Sequence, residues 1–309
     1  MLRSPKRARA LRPMAVGALI ALFVIFAAFG EARGAEEDAA AVQRGAYVFA
    51  AAGCAECHTA KGGKALAGGR ALKTPFGTFY SPNITPDPAT GIGKWSEADL
   101  KRALREGIGR DGTHYFPVFP YPSFTFMTDA DIRDLYAYLK SVPPAAEANR
   151  RHEIRFPFRF RILMLGWNRL FLKRGPFAPE ATRSPAWNRG AYLVRALAHC
   201  AECHTPRNLF GQLDLDDALS GTKEGPEGGT VPNITPDKAT GIGTWSEKDI
   251  TYLLETGQKP DGDDVQDGMR AVVDSSTSKL TPEDRAAIAN YLMSLAPIRH
   301  QIGKAKAKD

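Results

Sequence analysis

Five residues occur twice with the same spacing: Cys54-Ala55-Glu56-Cys57-His58 and Cys200-Ala201-Glu202-Cys203-His204. Cysteines three apart on a turn of helix lie on one side of it. Two thiols so placed reach the two vinyl groups of a porphyrin, and the histidine that follows offers a ring nitrogen to the iron. C-x-x-C-H is the attachment signal for c-type haem. The chain has 4 Cys, all of them in these two motifs, so none remains for a separate disulfide or zinc site. Other chemistries use paired cysteines. A thioredoxin-like pair needs a βαβ setting, which the pattern lacks. Structural zinc wants four Cys or His ligands, usually as two knuckles close together, whereas these pairs stand 146 residues apart. A disulfide within each pair is the remaining option in an oxidising compartment. Two covalently bound haem c groups are the reading that also uses both histidines.

Iron held by one histidine has either a sixth ligand or an open site, and a methionine there raises the potential. Methionines stand at 1, 14, 127, 164, 269 and 293. The first two fall in the N-terminal export signal, Met164 between the motif-bearing segments, and Met293 among apolar residues of a terminal helix. The expected ligand pairs are therefore His58 with Met127 and His204 with Met269. The two methionines do not hold equivalent places: Met127 directly precedes the final helix of its half, and Met269 stands twelve residues before the matching Thr281. His114 is the rival ligand in the first half, and bis-histidine ligation would lower that haem's potential. Asn83, Thr85 and Trp95 recur as Asn233, Thr235 and Trp245. They either cap a turn and fill core or bond a haem propionate.

The elements that must position these groups form a duplicated plan. Ser81–Gly107 and Val231–Gly257 are identical at 17 of 27 positions with a constant offset of 150. Arg44-Gly45-Ala46-Tyr47 matches Arg189-Gly190-Ala191-Tyr192 ahead of the cysteines, and Leu135–Leu139 matches Ile288–Leu292 at the end. This period far exceeds those of solenoid repeats and indicates two copies of a domain, each holding its own haem. In each copy a helix leads into C-x-x-C-H and a long loop follows. A short helix then opens at Ser96 or Ser246, with Asp99 or Asp249 at the capping-box position. A last helix begins at Thr128 or Thr281. No strong strand signal is present, so the expected fold class is all-α.

The domain scheme reads as 1–35 signal peptide or membrane anchor, 36–143 first domain, 144–184 interdomain linker, 185–298 second domain and 299–309 basic tail. In the linker, residues 150–174 hold eight basic residues against one acid, interleaved with Phe156, Phe158, Phe160, Trp167 and Phe171. The segment either packs across both domains and locks their orientation or forms a docking or membrane-surface stripe. At the N-terminus a basic stretch precedes an uncharged apolar run, residues 14–30, with small residues after it, the pattern of an export signal. Cleavage would leave a soluble periplasmic protein, and retention would leave one anchored to the inner membrane by residues 14–30.

The net charge of +7 comes largely from this N-terminal region; without residues 1–35 there are 35 basic and 33 acidic residues. A nucleic-acid binder would show a concentrated basic footprint, and none is expected here.

With both haem motifs, the repeated NITPD…TGIG-x-WS segments and Pro120-Tyr121-Pro122-Ser123-Phe124 in view, the chain resembles the cytochrome c subunits of bacterial membrane-associated alcohol, gluconate and sorbitol dehydrogenases. The resemblance implies tandem domains of class I cytochrome c type. It also implies electron transfer from a periplasmic or membrane-bound dehydrogenase to an oxidase or cytochrome acceptor of the respiratory chain. Those subunits usually have three haem domains, and two are expected here. The chain is thus read as an exported electron carrier, or the electron-transfer subunit of an oxidoreductase complex, without catalysis of its own. The alternative is a di-haem enzyme of peroxidase or thiosulfate dehydrogenase type with one labile axial ligand.

Overall fold

The computed structural model describes residues 36–225 and 228–302. The expected signal or anchor, 1–35, and most of the basic tail lie outside the described residues. Two units are present, divided after Ala41. Of the first, residues 36–41 are described, and they are helical. Everything that follows belongs to the second unit.

That unit is mostly helical. Helix α1 (42–51) runs into α2 (Cys54–His58), the first haem motif. The loop beyond it forms a hairpin, β1 (Ala71–Thr74) and β2 (Gly77–Tyr80), with Ala71 opposite Tyr80. A third strand, β3 (Glu153–Ile154), pairs with β2 so that Thr78 faces Glu153. This small sheet is a departure from the all-α expectation. Its strands are too short to show alternation, and β3 comes from a segment more than seventy residues further along the chain.

Helix α3 (Glu97–Glu106) starts at Ser96, whose hydroxyl accepts from Asp99 N–H while the Asp99 carboxylate accepts from Ser96 N–H. This is the expected capping box, and Leu100, Ala103 and Leu104 form its buried face. The one-turn α4 (Tyr121–Phe124) precedes α5 (Asp129–Ser141), capped by Thr128. Helix α6 (Ile162–Phe171) lies in the segment between the two repeats. The second half repeats the plan: α7 (Pro185–Tyr192) with a π-helical turn Leu193–Leu197, the motif helix α8 (Ala201–His204), and α9 (Glu247–Thr256) with its own Ser246–Asp249 capping box. Then come α10 (Asp267–Ser275) and α11 (Pro282–Met293), the last capped by Thr281.

In each half the helix before the cysteines crosses the last helix at a glycine. A Cβ on Gly45 would fall 1.9 Å from the Asp134 carbonyl oxygen, and one on Gly190 1.9 Å from that of Ala287. Only glycine lets the two backbones approach this closely. Beside each crossing an arginine from the first helix grips a carboxylate of the last. Arg44 bonds Asp134 at 2.7 and 3.0 Å, and Arg189 bonds Asp284 at 2.8 and 2.6 Å. One apolar core runs through both halves, with Val48, Leu100, Met127 and Leu135 from the first and Leu193, Leu197, Ile250 and Ile288 from the second.

The segment between the repeats bonds to both halves. Asn168 accepts from Tyr121 Oη at 2.6 Å and donates to the Glu106 carbonyl at 3.2 Å, and Arg161 donates to the His114 carbonyl at 2.7 Å. Trp167 Nε1 donates to the Phe210 carbonyl of the second half at 3.0 Å. Phe156, Ile162 and Leu170 of the same segment are exposed. Among the described residues no helix is long and apolar enough to cross a membrane.

Candidate haem-binding site

Each motif histidine is held by a proline carbonyl. His58 Nδ1 lies 2.8 Å from the Pro82 carbonyl oxygen, and His204 Nδ1 lies 2.8 Å from that of Pro232. An Nδ1–H donating to a backbone carbonyl fixes the tautomer and leaves Nε2 as the basic nitrogen. Burial pushes both imidazoles below the ordinary histidine range, against the opposing pull of the proline carbonyls. The neutral ring is the form that ligates metal.

The loop supplying each carbonyl is built the same way twice. Gly68 N–H donates to the His58 carbonyl and Gly221 N–H to that of His204, at 2.8 and 2.7 Å. Leu66 and Leu219, at φ 59° and 65°, are buried in the left-handed region, which is strained for a leucine. Their N–H groups are taken by Thr59 and Thr205 hydroxyls, and their carbonyls accept from Ile84 and Ile234. A Cβ on Gly68 would lie 2.5 Å from the Pro82 carbonyl carbon, so the chain that carries Pro82 presses on the glycine.

Asn83 and Thr85 act as the turn-capping reading expected. Asn83 Oδ1 accepts from Thr85 N–H and Oγ1, while Nδ2 donates to the Ala145 carbonyl at 2.6 Å. Asn233 and Thr235 make the same bonds, with the Ile298 carbonyl as the distant acceptor. These side chains tie the loop to the chain beyond the last helix. Trp95 and Trp245 line the cavity described next.

The two motifs open on one cavity of about 3080 Å³, several times the roughly 300–1,000 Å³ of a small-ligand cleft. Its lining includes all four cysteines, both motif histidines, Met127 and Met269, and is mainly apolar. No disulfide joins the cysteines. Burial pushes the Cys54 and Cys200 thiols up to about 12 and Cys203 up to about 11, and Cys57 of the other motif is among the charges that Cys203 feels. Residues of the first half also touch the second motif and the histidine before it. His199, just before Cys200, places Nε2 3.3 Å from the Ala52 carbonyl, and its ring lies 5.4 Å from Phe124. Ser123 donates to Glu202, inside the second motif, at 2.8 Å. Paired thiols, an oriented imidazole and an apolar cavity shared by both motifs fit two haem groups.

Of the expected sixth ligands, Met127 is fully buried and Met269, on α10, is half-buried; both line the cavity. His114 is not among the lining residues. It sits on a β-bridge to Ile108, with a buried Nδ1 that has no partner. The methionines also differ in setting. Met127 directly precedes the cap of α5, whereas the residue directly before the cap of α11 is Leu280.

A mostly helical chain with two such motifs defines a di-haem cytochrome of the c type. It matches the Cytochrome c family over residues 42–143 and again over residues 188–296, and belongs to that family. It is 48% identical to a nicotinate dehydrogenase subunit of Pseudomonas putida over 84% of this chain and 22% of that protein. It is 46% identical to a diheme cytochrome c-type protein of Cereibacter sphaeroides, over 82% of this chain and 86% of the relative. It is 41% identical to the gluconate 2-dehydrogenase cytochrome c subunit of Pantoea cypripedii, over 83% and 60%. The chain thus spans only part of several relatives. The protein carries two covalently bound haem c groups.

Proposed function

We propose that the protein carries electrons from a dehydrogenase to an acceptor of the respiratory chain, outside the cytoplasm. The observation that carries this reading is the single cavity that both motifs line. Ala52 and Ser123 of the first half bond directly to His199 and Glu202 beside and within the second motif. Two redox centres attached at these motifs would share that cavity. The dehydrogenase subunits among the relatives support the class of donor.

In this reading Cys54 and Cys57 bind one haem through thioethers, and Cys200 and Cys203 bind the other. His58 and His204 each present Nε2 to iron, held in place by Pro82 and Pro232. Bound haem supplies one-electron chemistry between ferric and ferrous iron. The chain's part is to orient the imidazoles, keep water from the apolar cavity and set the two sites side by side. Met269, which lines the cavity, would be the further residue that holds the second haem's iron. Met127 does not stand on the same footing, because its register is that of Leu280. Residues 36–143 and 185–298 act as tandem class I cytochrome c domains. The segment 144–184 fixes their orientation, and residues 1–35 direct export.

Purification from native membrane and soluble fractions tests the reading. The mature chain is expected to weigh two haems more than its polypeptide. Both haems are expected to be reduced when the substrate of a co-purifying dehydrogenase is added. Haems that stay oxidised while that dehydrogenase turns over with another acceptor would sink the proposal.

A further inference from the structure

The two halves follow one backbone path well beyond their identical residues. Gly109 N–H donates to the Thr113 carbonyl and Lys259 N–H to that of Asp263, both at 2.8 Å. Tyr115 N–H reaches the Gly107 carbonyl at 2.7 Å, and Val265 N–H reaches that of Gly257 at 2.8 Å. The bridges Ile108–His114 and Gln258–Asp264 match as well. All of these pairs share the offset of 150. Four residues further on, the same register pairs Phe119 with Met269, and both line the cavity.

Only then do the paths separate, into the one-turn α4 in the first half and the longer α10 in the second. They rejoin at Thr128 and Thr281, whose hydroxyls accept from Asp131 N–H and Asp284 N–H. Met127 therefore pairs with Leu280. Each is buried, and each has its carbonyl held by an arginine: Arg105 to Met127 at 2.6 Å and Arg285 to Leu280 at 2.5 Å. In the second half a leucine fills that place as an apolar core side chain.

Phe119 sits among aromatic rings, with Tyr115, Tyr121 and Phe124 at centroid distances of 5.9, 6.4 and 5.8 Å. A phenyl ring has no lone pair to offer iron. A wall of such rings disfavours ions, which lose hydration without a partner there, and admits small uncharged molecules.

Resting on the two-haem reading, we propose that Phe119 walls the place that Met269 fills in the second half. The first haem then has no methionine ligand and offers a site for a small uncharged ligand of the carbon monoxide or nitric oxide class. Such a ligand forms one coordinate bond to ferrous iron, with no net oxidation or reduction. Met127 is a packing residue beneath α5.

The test uses the holoprotein. Ferric spectra and electron paramagnetic resonance report spin state, and the dithionite-reduced protein is titrated with carbon monoxide. One high-spin and one low-spin haem are expected, with one carbon monoxide bound per chain. Phe119→Met is expected to abolish uptake and make both haems low-spin, and Met127→Leu to leave wild-type behaviour unchanged. Two low-spin haems with no uptake in the wild type would overturn the proposal. So would Met127→Leu converting a low-spin haem to high-spin. Should Phe119→Met fail to mature, the wild-type titration and Met127→Leu still decide. A chain that binds no haem at all would instead defeat the function proposed above.

Discussion

Tyr47 Oη of the first half donates a 2.5 Å hydrogen bond to the Asp284 carboxylate of the second. The relation is returned: Tyr192 Oη of the second half donates to the Asp131 carboxylate of the first. Each hydroxyl also accepts from the cap of the opposite half's last helix, Tyr47 from Thr281 N–H at 3.2 Å and Tyr192 from Thr128 N–H at 3.1 Å. Tyr47 and Tyr192 are matching residues of the repeat, so the halves exchange equivalent contacts. A further contact between the halves joins His199, just before the second motif, to the Ala52 carbonyl.

Removing one hydroxyl should weaken the joint without touching the haem sites. Hydrogen bonds to charged groups contribute roughly 1.5–3 kcal/mol. Tyr47→Phe is expected to lower the stability of the holoprotein by about that much in denaturant unfolding, with haem content unchanged. Equal stability in Tyr47→Phe and wild type would show the contact to be idle.

The same carboxylate makes stability depend on pH. Burial by itself would raise the Asp284 carboxyl, but hydrogen bonds from Arg189 and Tyr47 outweigh it and hold the group below its ordinary value. A depressed folded value stabilises the protein above the unfolded value of about 3.9. That contribution is lost as pH falls through the folded value. Asp284→Asn should therefore be less stable than wild type near neutrality and should lose less as pH falls below about 4. Parallel curves for the two proteins would contradict this.

Gly68 tests the support of the first histidine. Its φ is +76°, and an added Cβ would strike the Pro82 carbonyl group that His58 leans on. Gly68→Ala should cost more than the roughly 1–2 kcal/mol of left-handed strain and should perturb the spectrum of the first haem alone. Gly112, at φ +80° with open space around it, is the control. Gly112→Ala should bring the strain and leave both haem spectra as they are.

Asn83 is buried, and its side chain bonds Thr85, Thr90 and the Ala145 carbonyl. Asn83→Ala leaves the buried Thr85 N–H without its acceptor, while the Ala145 carbonyl keeps the Glu147 N–H. At about 1–3 kcal/mol for each buried group left unsatisfied, thermal unfolding should begin well below that of wild type. Proteolysis should also reach the chain beyond Ser141 first. A variant with unchanged protection there would show that the strap is dispensable.

The local chemistry was legible from the chain. C-x-x-C-H needs only five neighbouring residues, and both capping boxes need four, so their signals survive without knowledge of packing. The offset of 150 made the duplication plain and, carried on from Gly107 to Phe119, already contained the pairing with Met269. Helix starts at Thr128 and Thr281 followed from the same local signals.

Tertiary structure decided what lies between distant residues. The pairing of Tyr47 with Asp284 spans 237 positions, and β3 joins a hairpin whose partners lie far upstream. The two haem motifs, far apart in sequence, line one cavity only in the folded chain. Local periodicity reports which face of an element is apolar, not which surface will cover it. Shape and burial choose the cover, and they exist only once the chain has closed.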